Sequence, residues 1–240
     1  MRLRFGRRSI AAACLAGLLG GCCGVMPAPV DGAASKGLVN VGDARAAATH
    51  YHDSGAYDRD LVRVADAARR WVEKRAGQVS HPALVLDVDE TSLSNWPVMK
   101  ADDFAYIRSG ACDSLPAGPC GYLAWENRAE AVVLPGTLTL VRAAQSRGVA
   151  IFFVTGRGEA ERAATAANLT HAGYRDWTGL YLRAPGRPTP SAADYKAPIR
   201  AVIEARGYTI IANMGDQPSD LAGGHAERTF LLPNPFYRIN

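Results

Sequence analysis

A short apolar run that ends in two aspartates constrains this chain most. Residues 83–86 are Ala, Leu, Val and Leu, and they run from Pro82 into Asp87-Val88. An apolar run of this kind predicts a buried strand of a parallel sheet at residues 83–88. Asp87 and Asp89 stand two apart, so on an extended chain their side chains point the same way. Open α/β sheets bind ligands at the carboxyl ends of their strands. The run therefore predicts a pair of carboxylates in a functional site.

The remaining pattern predicts an α/β fold with a mostly parallel sheet flanked by helices. Apolar runs predict further strands at 149–154, 179–182, 208–214 and 228–232, and helical periodicity predicts helices at 56–76, 137–147, 159–171 and 192–206. An earlier helical stretch precedes a break at Ser54-Gly55. Because strands and helices alternate, right-handed crossovers between parallel strands are expected.

The segment from about residue 92 to 134 has no clear period and is too long for a simple strand-to-helix connection. It predicts a small cap, inserted after the first strand, that could cover the site. Its aromatic side chains have two interpretations, because they could form the insertion's own small core or stack on a substrate. The candidates for a substrate contact are Tyr106, Tyr122 and Trp125.

The amino terminus predicts export. Residues 1–21 combine four arginines with an apolar stretch too short to span a bilayer, which is typical of a secretory signal peptide. Leu19-Gly20-Gly21-Cys22 resembles a bacterial lipobox, in which Cys22 carries the lipid; the alternative is an ordinary signal peptide cut after Ala33 or Ala34. Residues 22–38 would then be a lipidated, flexible tether, and 39–240 the folded domain.

Net charge gives no reason to expect nucleic-acid binding. The chain has 27 Lys and Arg against 23 Asp and Glu, and removing four arginines with residues 1–21 leaves 23 against 23. The excess of positive charge therefore lies in the expected signal peptide, and the mature chain is formally neutral.

Two cysteines remain in the expected domain. Cys112 and Cys120 flank a turn-rich segment, which suits a short disulfide loop in an exported protein, with two free thiols as the alternative. The Cys and His spacings do not match a zinc site.

Polar motifs follow three of the predicted strands. Beside the aspartate pair these are Thr155-Gly156-Arg157 and Gly215-Asp216 with Asp220, and Lys196 lies early in a helix that can reach the same edge. Crowded carboxylates repel unless a cation joins them, and hard oxygen ligands favour Mg²⁺. With a hydroxyl and backbone N–H groups for phosphate oxygens, this set predicts phosphoryl transfer through a carboxylate nucleophile. Arg157 and Glu90 have two open interpretations. They either hold the residues of the site from behind or lie on the surface without a functional role.

These motifs resemble those of the haloacid dehalogenase-like (HAD) superfamily. Asp87-Val88-Asp89-Glu90-Thr91 is similar to its DxDxT signature, and Thr155, Lys196 and Gly215-Asp216…Asp220 match its second, third and fourth motifs in order. The flanks, with Leu232-Pro233-Asn234-Pro235, resemble the secreted acid phosphatase branch, subfamily III-B. That branch includes bacterial lipoprotein phosphatases and plant vegetative storage proteins. The resemblance covers about residues 39–237.

The resemblance implies a role for each matched residue. Asp87 would attack phosphorus to form an aspartyl-phosphate, and Asp89 would act as general acid and then base, with a pKa above that of Asp87. Mg²⁺ would be held by Asp87, the Asp89 carbonyl and Asp216, with Asp220 acting through a water molecule. Thr155, Gly156 and Lys196 would bind the transferring phosphate.

The resulting expectation is an exported, Mg²⁺-dependent acid phosphatase acting on small phosphate monoesters, with nucleoside monophosphates or aryl phosphates as candidates. It would face the periplasm or cell surface of a bacterium, held to the membrane by its lipid alone. A storage or binding lipoprotein with a vestigial site, or a phosphotransferase, are the alternatives.

Overall fold

A computed structural model describes residues 38–186 and 191–239 of the chain. Val39–Asn240 form one compact unit. The expected signal peptide (1–21), the lipid site at Cys22 and all but the last residue of the 22–38 tether lie outside the described residues. Within the described ranges, no helix has the length and apolar character needed to cross a membrane.

The central layer is a five-stranded parallel sheet. Its strands are β1 (Pro82–Leu86), β4 (Ala150–Gly158), β5 (Gly179–Arg183), β6 (Thr209–Gly215) and β7 (Thr229–Leu231), in the spatial order β5-β4-β1-β6-β7. β1 pairs with both β4 and β6, so it lies at the centre. This confirms the α/β class and the mostly parallel sheet.

Eight α-helices accompany the sheet in the described part of the chain. They are α1 (Val41–Asp53), α2 (Ala56–Arg75), α3 (Trp96–Ala101), α4 (Tyr122–Arg128), α5 (Pro135–Gln145), α6 (Arg162–His171), α7 (Ala192–Ala205) and α8 (Pro218–Leu221). The expected break at Ser54-Gly55 separates α1 from α2, where Gly55 has φ +71°, a left-handed conformation that glycine adopts without a steric penalty.

Alternation along β1 places its side chains on two cores. Leu84 and Leu86 join the larger cluster on one face, while Ala83 and Val85 pack on the other face with Ile203 of α7. Because both faces are covered, the strand is apolar throughout, as expected for a central parallel strand. Its polar continuation, Asp87 onward, therefore leaves the sheet directly at the carboxyl edge.

The expected insertion contains a second, small sheet. β2 (Leu93–Ser94) pairs antiparallel with β3 (Val132–Val133), and α3 and α4 lie between them in sequence. Cys112 and Cys120 form a disulfide, which agrees with the loop expected from their spacing. Trp96 and Phe104 do not form a core private to the insertion, because both also contact Phe236 near the carboxyl terminus.

Candidate active site

Two neighbouring strand ends supply the three carboxylates of the site. Asp87 follows β1, whereas Asp216 and Asp220 follow β6, its direct neighbour in the sheet. All three side chains are buried, and one oxygen from each lies within 4.8 Å of the others. The sheet order therefore brings together residues that are about 130 positions apart in the sequence.

Lys196 is the cation among these carboxylates. It lies in the second turn of α7, is 4% exposed, and donates through Nζ to Asp87 and, at 2.6 Å, to Asp220. Burial acts to lower the pKa of Lys196, but the adjacent charges of Asp87 and Asp220 outweigh it and raise that pKa. The lysine therefore keeps its proton.

One ammonium does not balance three buried carboxylates. Burial raises the pKa of Asp87 well above its usual range, and the charges of Asp220 and Asp216 add to the effect against the opposing charge of Lys196. Burial and Asp220 also raise the pKa of Asp216, to about 6. A hard divalent cation prefers such oxygen ligands and would supply the missing positive charge, so the donor set fits one.

Asp216 and Asp220 are held by their own loop and by two residues outside it, Thr91 and Asn234. Asp216 accepts hydrogen bonds from Thr91 Oγ1 at 3.2 Å, Gln217 Nε2 at 2.6 Å and Asn234 Nδ2 at 2.7 Å. Asp220 accepts from the Gln217 backbone N–H at 2.9 Å. The loop is so tight that a Cβ on Gly215 would lie 2.5 Å from the Asp220 side chain, which accounts for the glycine.

Asp89 has different partners from Asp87. Arg157 Nη2 donates to its Oδ1 at 2.6 Å, Arg157 Nε reaches both its oxygens at 3.1 Å, and Asn95 Nδ2 donates at 2.8 Å. Burial alone would raise the pKa of Asp89, but the charge and hydrogen bonds of Arg157, with the Asn95 bond, lower it. The two carboxyls therefore differ in their surroundings: burial raises the pKa of Asp87 against the charge of Lys196, whereas Arg157 and Asn95 lower that of Asp89.

Arg157 and Glu90, whose roles the sequence left open, are both buried. The Arg157 side chain is 1% exposed and also lies 3.8 Å from Glu126 of α4. Glu90 accepts from the Asn95 backbone N–H at 2.6 Å and from Tyr237 Oη at 2.8 Å, and burial is the main cause that raises its pKa to about 8. Its φ of +51° is uncommon for a non-glycine residue, and these hydrogen bonds hold it there.

The expected phosphate ligands lie at the same edge. Thr155 and Gly156 form part of β4, where Thr155 Oγ1 accepts from the Arg157 backbone N–H at 3.1 Å. Thr155 is fully buried, while Gly156 faces the cavity above the carboxylates. A Cβ on Gly156 would meet no atom within 4 Å, so packing does not require glycine there, and the backbone remains open to the cavity.

A cavity of about 520 Å³ lies above the carboxylates. Asp87, Asp89, Asp216, Asp220 and Lys196 line one side, and Val98, Met99, Phe104 and Phe236 form an apolar wall. Tyr106 and Tyr122 line the cavity too, with ring centroids 5.2 Å apart. The two tyrosines are thus placed where a substrate contact was expected.

The contact expected for Trp125 does not agree with the structure. Trp125 is 3% exposed and does not line the cavity. Its indole N–H donates to Asn95 Oδ1 at 2.8 Å, so the residue supports Asn95 from inside the insertion. Sequence reasoning missed Asn95 and Glu126, because an aperiodic insertion gives no indication of which polar side chains turn inward.

The sequence of the chain matches a known protein family over most of its length. Residues 37–240 match the family model described as HAD superfamily, subfamily IIIB (acid phosphatase). The chain belongs to this family. That assignment confirms the family expected from the four motifs and the fold that it implies.

Relatives of this subfamily IIIB chain include plant proteins. It is 39% identical over 164 residues to the stem 28 kDa glycoprotein of Glycine max, covering 66% of this chain and 61% of that protein. It is 34% identical over 185 residues to acid phosphatase 1 of Solanum lycopersicum, covering 76% and 69%. The chain thus spans less than two thirds of the stem glycoprotein's length.

Solved structures share the fold of this subfamily IIIB chain. The class C acid phosphatase from Bacillus anthracis with tungstate bound superposes with a TM-score of 0.65 at 21% identity, covering 82% of this chain and 86% of that one.

Glu126 gives a prediction about stability and pH. Burial, with the charge of Asp89, raises its pKa from about 4.5 to about 8, so the folded state binds an extra proton between these values. Its contribution to stability is therefore complete below about pH 4.5 and is lost as the pH rises through about 8. Glu126→Gln cannot ionise, so in EDTA the variant should gain stability relative to wild type between pH 5 and pH 8.5.

Urea unfolding of both proteins at the two pH values measures this difference. Glu130→Gln, an exposed glutamate two residues beyond α4, is the matched control and should show the same pH dependence as wild type. If the free energy of unfolding changed equally between the two pH values in wild type and Glu126→Gln, the prediction would be contradicted.

Proposed function

We propose that this protein is a Mg²⁺-dependent acid phosphatase that hydrolyses small phosphate monoesters through an aspartyl-phosphate at Asp87. The observation that supports this best is the buried group of Asp87, Asp216 and Asp220 around Lys196, opening into a cavity of substrate size. Membership of the acid phosphatase subfamily supports the same reaction.

Asp87, Asp216 and Asp220, with the Asp89 carbonyl, would hold the Mg²⁺. Bound there, it would act as a Lewis acid on the phosphate and offset the charge of the carboxylates. The ligand types support Mg²⁺ over zinc, because they are carboxylate oxygens without a Cys or His in the cluster.

The nucleophile in this proposal is the Asp87 carboxylate, which attacks phosphorus as the ester oxygen leaves. Lys196 keeps a positive charge beside the nucleophile and would bind a phosphate oxygen. The Gly156 backbone, open to the cavity, would bind another phosphate oxygen. The Thr155 hydroxyl, which is buried and accepts from the Arg157 backbone N–H, would donate its own proton to a further one. Together these groups would orient the phosphate for in-line displacement.

Asp89 would protonate the leaving alkoxide and then take a proton from the water that attacks the aspartyl-phosphate. Arg157 lowers the pKa of Asp89, which favours the second, basic role at neutral pH. The first role needs the protonated carboxyl, whose population grows as the pH falls. This is the physical reason to expect an acidic optimum.

The two alternatives, a storage or binding protein with a vestigial site and a phosphotransferase, receive less support. A vestigial storage role would not need a carboxylate nucleophile, yet Asp87 is present and paired with a buried lysine. Transfer to another acceptor would need a second hydroxyl compound to exclude water from the cavity. Hydrolysis requires only water, so it is the simpler reaction for this site.

Replacing the nucleophile should abolish activity. Asp87→Asn should lower kcat on p-nitrophenyl phosphate about a thousandfold or more, because an amide cannot form the phosphoenzyme. Activity of wild type should disappear in EDTA and return when excess Mg²⁺ is added. Asp58→Asn, an exposed position on α2, is the matched control and should keep full activity. Equal rates for Asp87→Asn and wild type would refute the mechanism.

The hydrogen bond from Trp125 to Asn95 should affect chemistry more than substrate binding. Trp125→Phe removes the N–H that holds Asn95 against Asp89, and should lower kcat about tenfold while KM stays within about twofold. The control is Trp96→Phe in the same insertion, since the Trp96 indole N–H makes no hydrogen bond within the described residues. A rise in KM with unchanged kcat would contradict this role.

We also propose that the chain is exported and anchored by a lipid at Cys22. The lipobox-like sequence supports the lipid anchor, and the Cys112–Cys120 disulfide supports export, because disulfides are typical of oxidising compartments. Mass spectrometry of the protein expressed in a bacterium should find a diacylglyceryl-modified cysteine at position 22 as the first residue. An unmodified amino terminus beginning after Ala33 or Ala34 would show an ordinary signal peptide instead.

A further inference from the structure

Three exposed arginines line the cavity from separate parts of the chain. Arg108 belongs to the insertion, Arg183 is the last residue of β5, and Arg238 lies near the carboxyl terminus. The fold therefore gathers three positive charges around one opening, although no sequence motif contains them.

These arginines differ from the other cations of the cavity. Arg157 is paired with Asp89 and Glu126, and Lys196 with Asp87 and Asp220. Within residues 38–186 and 191–239, the side chains of Arg108, Arg183 and Arg238 make neither an ion pair nor a hydrogen bond. Their charges are thus available to a ligand.

Most arginines elsewhere on the described surface do have such a partner. Arg63, Arg69, Arg75, Arg128 and Arg162 each pair with a carboxylate. Of the six arginines in the described ranges without an ion pair or hydrogen bond, three line this one cavity; the others are Arg70, Arg142 and Arg228. A random scatter of unpaired arginines would not concentrate at one opening.

The reacting phosphate does not account for all three. The expected nucleophile Asp87 and phosphate ligand Lys196 are buried and define the floor of the cavity, whereas the three exposed arginines define its rim. The apolar wall of Val98, Met99, Phe104 and Phe236 lines the same cavity and suits the body of a leaving group. A ligand reaching from floor to rim would thus meet cations at both ends.

We propose that the preferred substrates are phosphate monoesters whose leaving group carries a second anionic group, a carboxylate or a second phosphate, bound by Arg108, Arg183 and Arg238. Guanidinium groups match both anions through paired N–H donors. This inference rests on the proposed phosphatase function and adds a substrate class to it.

Three aryl phosphates of similar shape test the proposal. They are 4-carbamoylphenyl phosphate, which is neutral at the far end, 4-carboxyphenyl phosphate, and 1,4-phenylene bisphosphate. Wild type should show a kcat/KM about tenfold higher for each of the two doubly anionic substrates than for the carbamoyl ester, since three exposed ion pairs each contribute modestly. The comparison of 4-carboxyphenyl phosphate with 1,4-phenylene bisphosphate shows whether the arginines favour a carboxylate or a second phosphate.

Substitution identifies the residues responsible. In Arg108→Gln/Arg183→Gln/Arg238→Gln the advantage of the doubly anionic substrates should fall to about twofold or less. Arg70→Gln removes an exposed, unpaired arginine on α2 and should keep the full advantage. Added salt should also reduce the advantage in wild type, because exposed charges are screened.

The outcomes separate this inference from the function on which it rests. Equal kcat/KM for all three esters in wild type, or an advantage that survives in the triple variant, would overturn the inference alone. Failure of wild type to hydrolyse any of the three with Mg²⁺ would overturn the phosphatase function as well.

Discussion

The site depends on the repulsion among three buried carboxylates, two of which share one lysine. Asp87, Asp216 and Asp220 come within 4.8 Å of one another, and Lys196 pairs with Asp87 and Asp220. An arrangement of this kind destabilises a fold unless a cation joins it, so its presence at the ligand edge of the sheet indicates function. The β1–β6 pairing creates the crowding, because it places the two acidic strand ends side by side.

The insertion separates the tasks of the two aspartates at the end of β1. Asp87 faces the shared lysine, whereas Asp89 is bound by Arg157 from β4 and by Asn95 from the insertion. Trp125 and Glu126, adjacent on α4, contact Asn95 and Arg157 respectively. The same insertion therefore both lines the cavity and holds one carboxylate, which links the choice of substrate to the position of the proposed acid.

The sequence predicted the parts of this site that follow strands. Asp87, Asp89, Thr155 and Asp216 could be found because parallel strands end at a common edge, and Lys196 because an early position in a helix can reach that edge. Asn95 and Glu126 could not be found, since the insertion has no hydrophobic periodicity to show which polar side chains turn inward, and the Arg157 partner of Glu126 lies on a different strand. Trp125 was misjudged for the same reason: an aromatic residue gives no local indication of whether it faces a core or a cavity. The lowered pKa of Asp89 could not be predicted either, because it depends on Arg157, whose burial is a tertiary property.

Chemical trapping of the phosphoenzyme tests the central claim most directly. Rapid mixing of the protein with Mg²⁺ and a substrate labelled with ³²P in its phosphoryl group, followed by acid quenching and peptide mapping, locates any covalent phosphate. The account predicts a label on the peptide that contains Asp87, stable in acid and released by hydroxylamine, as expected for an acyl phosphate. Phosphate bound covalently to another residue, or steady turnover with no covalent label at any time, would contradict it.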